Sequence, residues 1–311
     1  MSSDKKETPS IASSPGAPHE SLVTRFDAAE VRTYYETNTR GFLRRGEGGV
    51  QGAIHRAVWR DPHADRDRAF HYVDECLVEE LSMLQSTKPP GRRLRFVDLG
   101  CGVGASLHYL LSRCEGEGVG WSVSPLQVEL ARRRLSPFGE RARVELGDFC
   151  EESLPEDVDL AFGIESFVQA SEPTGLVDRV ARSIRPGGRF ALCDDFIVAP
   201  VSGQAELWVE EFRAGWRLSS LMSPQEVDEL VGAHGFHLVR DEDWTPYLAL
   251  NRLRDTAIHW LVAAARPLAR WSAVRVAWNG PHWGNYRGGN ALNRCLRNGW
   301  VQYRFRVWER R

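Results

Sequence analysis

The segment VDLGCGVGAS at 97–106 constrains the fold more than any other stretch of this 311-residue chain. An apolar run, LRFVDLG at 94–100, reads as a buried parallel strand and leads into Gly100, Gly102 and Gly104. Glycines at that point let the main chain turn and approach a ligand closely, and a helix starting behind them leaves its first N–H groups free. Strand and helix candidates then alternate: GVGWSV at 118–123, LQVELARRRL at 126–135, RVELGDF at 143–149, VDLAFGI at 158–164, PTGLVDRVARSI at 173–184 and GRFALCDDF at 188–196. Such alternation predicts a doubly wound α/β sheet with helices on both faces.

The flanking sequence has a different texture. Residues 1–22 are rich in Ser, Pro, Lys and Glu with few large apolar groups, which predicts a disordered tail. Residues 26–84 are helical in pattern and aromatic, broken by GEGGVQG at 46–52, so 23–90 reads as an N-terminal helical lid on a main domain of 91–311. After Phe196 the alternation lapses, and helical patterns from about 200 to 295 predict a cap inserted before the last strand, WVQYRFRVW at 300–308. Within that insertion, SPQEVDELVGAHGF has a Ser cap, a Glu three positions on and a Gly stop.

Composition excludes several classes. A net charge of −2 argues against general nucleic-acid binding, and no apolar run is long enough for a membrane span. The six cysteines show neither C-x-x-C pairing nor zinc spacing and read as reduced thiols, so a cytoplasmic location is expected. A homo-oligomer is compatible with this composition.

The strand-plus-D-L-G-C-G-V-G form resembles the first motif of class I S-adenosylmethionine-dependent methyltransferases, with Asp98, Gly100, Gly102 and Gly104 as cofactor-binding candidates. A dinucleotide site would instead want an acid about 20 residues on, where this chain has GVGWSVSP. Ordinary class I enzymes also end their second strand in an acid; here Ser122, Ser124 and Gln127 are available, an arrangement similar to that of methyltransferases acting on alkenes. GDF at 147–149 resembles the motif that sets an acid and an aromatic ring beside adenine, making Asp148 and Phe149 further candidates. Glu165, alone in the apolar stretch FGIESFVQAS, must be paired, metal-bound or functional, because an unpaired buried carboxylate is costly.

Eleven tryptophans supply many aromatic faces, which stabilise cations at close range. Methyl transfer to an alkene makes a carbocation, so a ring-lined pocket with Glu165 as the final base is one coherent site. Trp208 and Trp216 share a helix face and are the indoles chosen to line it. Ten arginines against one acid between 266 and 311 add positive charge, with Arg304 and Arg306 expected on a solvated strand face and Arg287, in NYRGGN, as an anion clamp. Taken together, Y-Y-x-x-N-T-R, G-A-I-H-R-A-V-W, D-L-G-C-G-V-G, S-V-S-P-x-Q, I-E-S-F and G-G-N-A-L resemble bacterial prenyl diphosphate C-methyltransferases. The resemblance implies S-adenosylmethionine as cofactor, a prenyl diphosphate substrate, Mg2+ for the diphosphate, Glu165 as base, and Tyr35, Asn38, Arg40, His55 and Arg56 in the segment closing over the substrate. No D-D-x-x-D motif is present and Asp194-Asp195 falls at a strand end, so metal ligands stay unassigned. A sesquiterpene-length substrate with cyclisation is expected if two indoles line the pocket. An O-, N- or C-methyltransferase of another natural product and a non-catalytic binding protein are the rival readings.

Overall fold

The computed structural model describes residues 26–44, 52–87, 91–198 and 201–311. The expected tail 1–22, Arg45 and most of the glycine-rich turn lie outside them.

Five strands run parallel: β1 (Leu94–Leu99), β2 (Gly116–Ser122), β3 (Ala142–Leu146), β4 (Val158–Ile164) and β5 (Ile184–Ile197). Two more, β6 (Phe236–Asp243) and β7 (Val301–Arg310), complete a sheet of order β3-β2-β1-β4-β5-β7-β6, in which β7 is antiparallel to both neighbours. Because side chains alternate across a strand, each central strand feeds two cores. Phe96, Leu160, Phe162, Ala191 and Cys193 belong to one face, and Val97, Leu99, Ala161, Phe190 and Leu192 to the other. This two-sided burial is why these strands read as unbroken apolar runs.

The helices are α1 (Ala28–Arg44), α2 (Arg66–Ser86), α3 (Ala105–Leu111), α4 (Pro125–Leu135), α5 (Pro173–Ser183), α6 (Gln204–Trp216), α7 (Pro224–Ala233), α8 (Leu253–Ala265), α9 (Ser272–Asn279) and α10 (Pro281–Arg297). The α/β expectation holds, and α7 carries the anticipated capping box between Ser223 and Glu226. The long helical pattern at 26–84 resolves differently. AIHRAVW at 53–59 is an irregular strap, because its amides bond to distant carbonyls: Val58 N–H to Ala69 and Trp59 N–H to Tyr247, each at 2.8 Å. Helix α2 is packed into the core of the sheet through Val73, Leu77, Leu81 and Leu84, whereas α1 and the strap lie over the ends of the parallel strands.

Helices α6 and α10 meet closely because both carry glycine at the crossing. A Cβ on Gly215 would lie 2.5 Å from the Cα of Gly288, and one on Gly288 would strike the Trp216 ring. The expected solvated face of β7 is instead an ion-paired one. Arg306 is 1% exposed and pairs with Asp228 at 2.9 Å and Asp241 at 3.1 Å, and Arg304 pairs with Asp241 at 2.9 Å. Strand β6 brings the Asp241 carboxylate that the local sequence of β7 does not reveal.

Candidate active site

A cavity of about 320 Å³ opens where the parallel strands end, beneath α1, the strap and α10. In open α/β sheets ligands bind at this edge, where the strand order reverses between β1 and β4. The three glycines of the first motif do different work. A Cβ on Gly100 would come within 2.6 Å of Ser166, so this glycine lets the β1 turn and the β4 loop touch. Gly104 starts α3 in a left-handed conformation, and its missing side chain admits α4, with Ala131 at 3.1 Å from a Cβ there. Gly102 has a φ of +50° and nothing within 4 Å of where its Cβ would stand, so its bare backbone borders the cavity.

Asp98 lines the cavity from the end of β1 and is buried, and among the described residues its carboxylate accepts no hydrogen bond. Burial, and then the neighbouring charge of Asp74, push its carboxyl well above the usual range. A buried acid left without a partner calls for a cationic or hydrogen-bonding ligand. Ser122 and Gln127 border the cavity and bond each other at 2.7 Å, with the Gln127 amide donating to Thr39 of α1 at 3.1 Å. Ser124 instead caps α4 and bonds Glu36 of α1, so it serves the lid contact. Asp148 and Phe149 both line the cavity; one Asp148 oxygen accepts from the Cys150 N–H at 2.8 Å. An unpartnered acid for a cationic group, an open glycine edge for close main-chain approach and a polar corner at β2 for hydroxyls fit S-adenosylmethionine.

Across the cavity stands Glu165, directly after β4, in a left-handed conformation (φ +51°) that costs a non-glycine residue about 1–3 kcal/mol. Its N–H continues the sheet pairing to the Cys193 carbonyl at 2.9 Å. Three donors converge on Oε1: the Arg56 N–H at 2.8 Å, Arg56 Nε at 3.0 Å and the Tyr303 hydroxyl at 2.9 Å. Oε2 accepts nothing among the described residues, and the side chain keeps 15% exposure, toward the cavity it lines. Burial alone would raise this carboxyl, but the charge of Arg56 and the hydrogen bonds from it outweigh burial, so its pKa lies below the usual value. The Arg56 fork closes on Asp195 at 2.8 and 2.7 Å, and its guanidinium lies 3.9 Å from the Tyr303 ring centre. Tyr35 donates to Gln169 at 2.9 Å from the same wall, and burial raises its phenol. His55 lines the cavity; its Nε2 is buried without a partner, and Nδ1 lies 3.2 Å from the Arg56 carbonyl.

Several candidates are held elsewhere. Trp208 lies off the cavity, its ring beneath Arg266 and Arg294, about two turns along α6 from the crossing with α10. Trp216 does line the cavity and is the only tryptophan that does, so the two-indole condition for cyclisation is not met. Arg287 does not line the cavity and turns inward, its Nε donating to Glu211 and its Nη1 to the Trp278 carbonyl, each at 3.1 Å. The Asn38 amide joins α1 to the start of α10 through the Pro281 carbonyl, and Arg40 is exposed outside the cavity. Mg2+ finds no ligand set: no cluster of three metal-binding side chains occurs among the described residues, and Asp195 is occupied by Arg56 while Asp194 accepts the Val168 and Asp195 N–H groups. Sequence reasoning missed Tyr303, Thr39 and Glu36, each of which acts through a partner more than 80 residues away.

The fold is that of the class I methyltransferases, a Rossmann-like sheet with one antiparallel strand. Residues 96–188 match the family described as "Methyltransferase domain". Among curated proteins, Methyltransferase GfsG of Streptomyces halstedii is 29% identical over 218 residues, covering 68% of this chain and 73% of that one. An O-methyltransferase of Pyrenophora dematioidea is 25% identical over 199 residues, covering 62% and 72%. Among solved structures, a geranyl diphosphate methyltransferase in complex with GPP and sinefungin superposes with a TM-score of 0.64 at 20% identity, covering 89% of this chain and 100% of that one, a likeness of fold. No helix among the described residues is long and apolar enough to cross a membrane.

Proposed function

We propose that this enzyme transfers a methyl group to an alkene carbon of a prenyl diphosphate. The observation that carries this reading is the state of Glu165. A carboxylate held below its ordinary pKa is a poor base toward a hydroxyl, whose pKa lies many units higher, but it is ample for a C–H beside a carbocation. S-adenosylmethionine, when bound, supplies the electrophilic methyl. Asp98, Gly102 and the Ser122–Gln127 corner hold and orient the cofactor, and α1 with the strap excludes water from the cavity. Once the alkene has taken the methyl, the neighbouring carbon carries the positive charge. The Tyr35 ring and the Glu165 carboxylate face that charge, and Glu165 Oε2 takes the proton from the adjacent carbon, restoring a double bond. The fixed Oε1 keeps Oε2 in one place, so proton removal is regioselective.

One observation favours a second reading. His55 Nε2 stands buried and unpartnered in the same cavity and would serve as base for O-methylation, the activity in the name of the Pyrenophora relative. The two are separated by incubating the protein with labelled S-adenosylmethionine and, in parallel, prenyl diphosphates of several lengths and hydroxylated natural products. Label appearing in a prenyl alcohol released by phosphatase supports C-methylation; label only in methyl ethers overturns it.

A further inference from the structure

Beside the cavity mouth a groove runs between α8 and α10, with Asn251, Thr256, His259, Asn293, Arg294 and Arg297 on its walls. Leu250, Asp255, Asn290 and Asn293 border both spaces, so the groove continues the cavity outward. We propose that this groove is the subsite for the diphosphate, which places the anionic end of the substrate at the mouth and its hydrocarbon inside, toward Glu165. The inference rests on the prenyl diphosphate reading and adds to it where, and which way round, the substrate sits.

Several arginines around the cavity are already committed. Deep in the cavity, Arg56 has its fork filled by Asp195 and its Nε by Glu165. Over the cap, Arg287 and Arg266 share Glu211. Arg294 and Arg297 differ: among the described residues neither lies within ion-pair distance of a carboxylate, and the single acid on the groove is Asp255. They stand three residues apart on α10, which puts both on one helix face. The Arg294 guanidinium rests on the Trp208 ring at 4.7 Å, an arrangement that fixes its plane while leaving the N–H edges free. That gives Trp208 a part at the substrate's polar end. Across the groove His259 is oriented by Asn290, 3.1 Å from Nδ1, and Thr256 adds a hydroxyl. Two uncommitted forks, an imidazole, a hydroxyl and carboxamides around one channel match the several oxygens of a diphosphate, which takes bidentate arginine contacts well.

Inorganic pyrophosphate is the direct probe. Titration calorimetry on the full chain saturated with S-adenosylhomocysteine should show pyrophosphate binding, weakened about tenfold by Arg294→Gln or Arg297→Gln and lost in the double variant. Orthophosphate should bind more weakly than pyrophosphate. Both arginines are exposed, so thermal unfolding should stay at the wild-type temperature. No pyrophosphate binding at millimolar concentration, or variants that bind it like the wild type, overturns the assignment. This readout needs no turnover: pyrophosphate bound through these arginines upholds the groove even if no prenyl diphosphate is methylated. Prenyl diphosphate turned over by the double variant with wild-type KM overturns the groove and leaves the reaction standing.

Discussion

Arg56→Met isolates the ion pair network that organises the site. The substitution keeps the backbone N–H to Glu165 and much of the packing on Tyr303, and it removes three charged hydrogen bonds together: one to Glu165 at 3.0 Å and two to Asp195 at 2.8 and 2.7 Å. The Asp195 side chain is 2% exposed and that of Glu165 15%, so neither carboxylate can recover its hydration. Removing one partner of a buried pair costs about 3–5 kcal/mol. Here two acids share one arginine, which puts the expected loss at the upper part of that range near neutral pH. In the wild type Glu165 has a depressed pKa, so it stabilises the fold above its unfolded pKa, and that contribution fades only as pH falls through the lower folded value. In Arg56→Met both carboxyls rise, each destabilises the fold while ionised, and the deficit therefore shrinks as pH falls through their raised values. Urea unfolding at about pH 8 and about pH 5, with the slope checked for constancy, reads the difference. A loss below about 1 kcal/mol at the higher pH, as for a surface pair, or a deficit that does not change with pH, would refute the idea that Arg56 holds two buried anions.

Three further outcomes follow from the same geometry. Glu165→Gln keeps an oxygen for the three donors and should leave a folded protein that binds S-adenosylmethionine, with turnover reduced at least about a hundredfold; undiminished turnover removes Glu165 from the mechanism. Gly102→Ala meets no neighbour, so calorimetry should show lost cofactor affinity with a stability change of about 1 kcal/mol from the left-handed backbone alone, and unaltered affinity would move the cofactor off that loop. Because burial holds the Asp98 carboxyl up and a cationic ligand favours its ionised form, S-adenosylmethionine should bind more tightly as pH rises from about 5 toward 8, with proton release, and Asp98→Asn should flatten that dependence.

Features set by short-range physics can be read from the residues alone. The strands were legible because burial on both faces forces unbroken apolar runs, and the first βα corner because three glycines at alternate positions have few other uses. Helix α7 announced itself through its own capping box. The cavity positions of Asp98, Asp148 and Glu165 follow from the same local pattern: each lies at or just past the end of a parallel strand, and the strand's place in the sheet brings it to the cavity wall. The strap at 53–59 was not legible, because its conformation is held by carbonyls far along the chain.

How charge is shared depends instead on contacts between distant parts of the folded chain. Sequence shows that Arg56, Arg287, Arg294 and Arg306 are all arginines; it does not show which of them meets a carboxylate. Arg56 finds Asp195 across 139 residues and Arg306 finds Asp228 across 78, whereas Arg294 rests on the ring of Trp208 with no carboxylate in ion-pair reach among the described residues. Pairing energies depend on distance and burial in space and carry no local signature, so an arginine that stabilises a core and one left free for an anion look alike until the chain has folded.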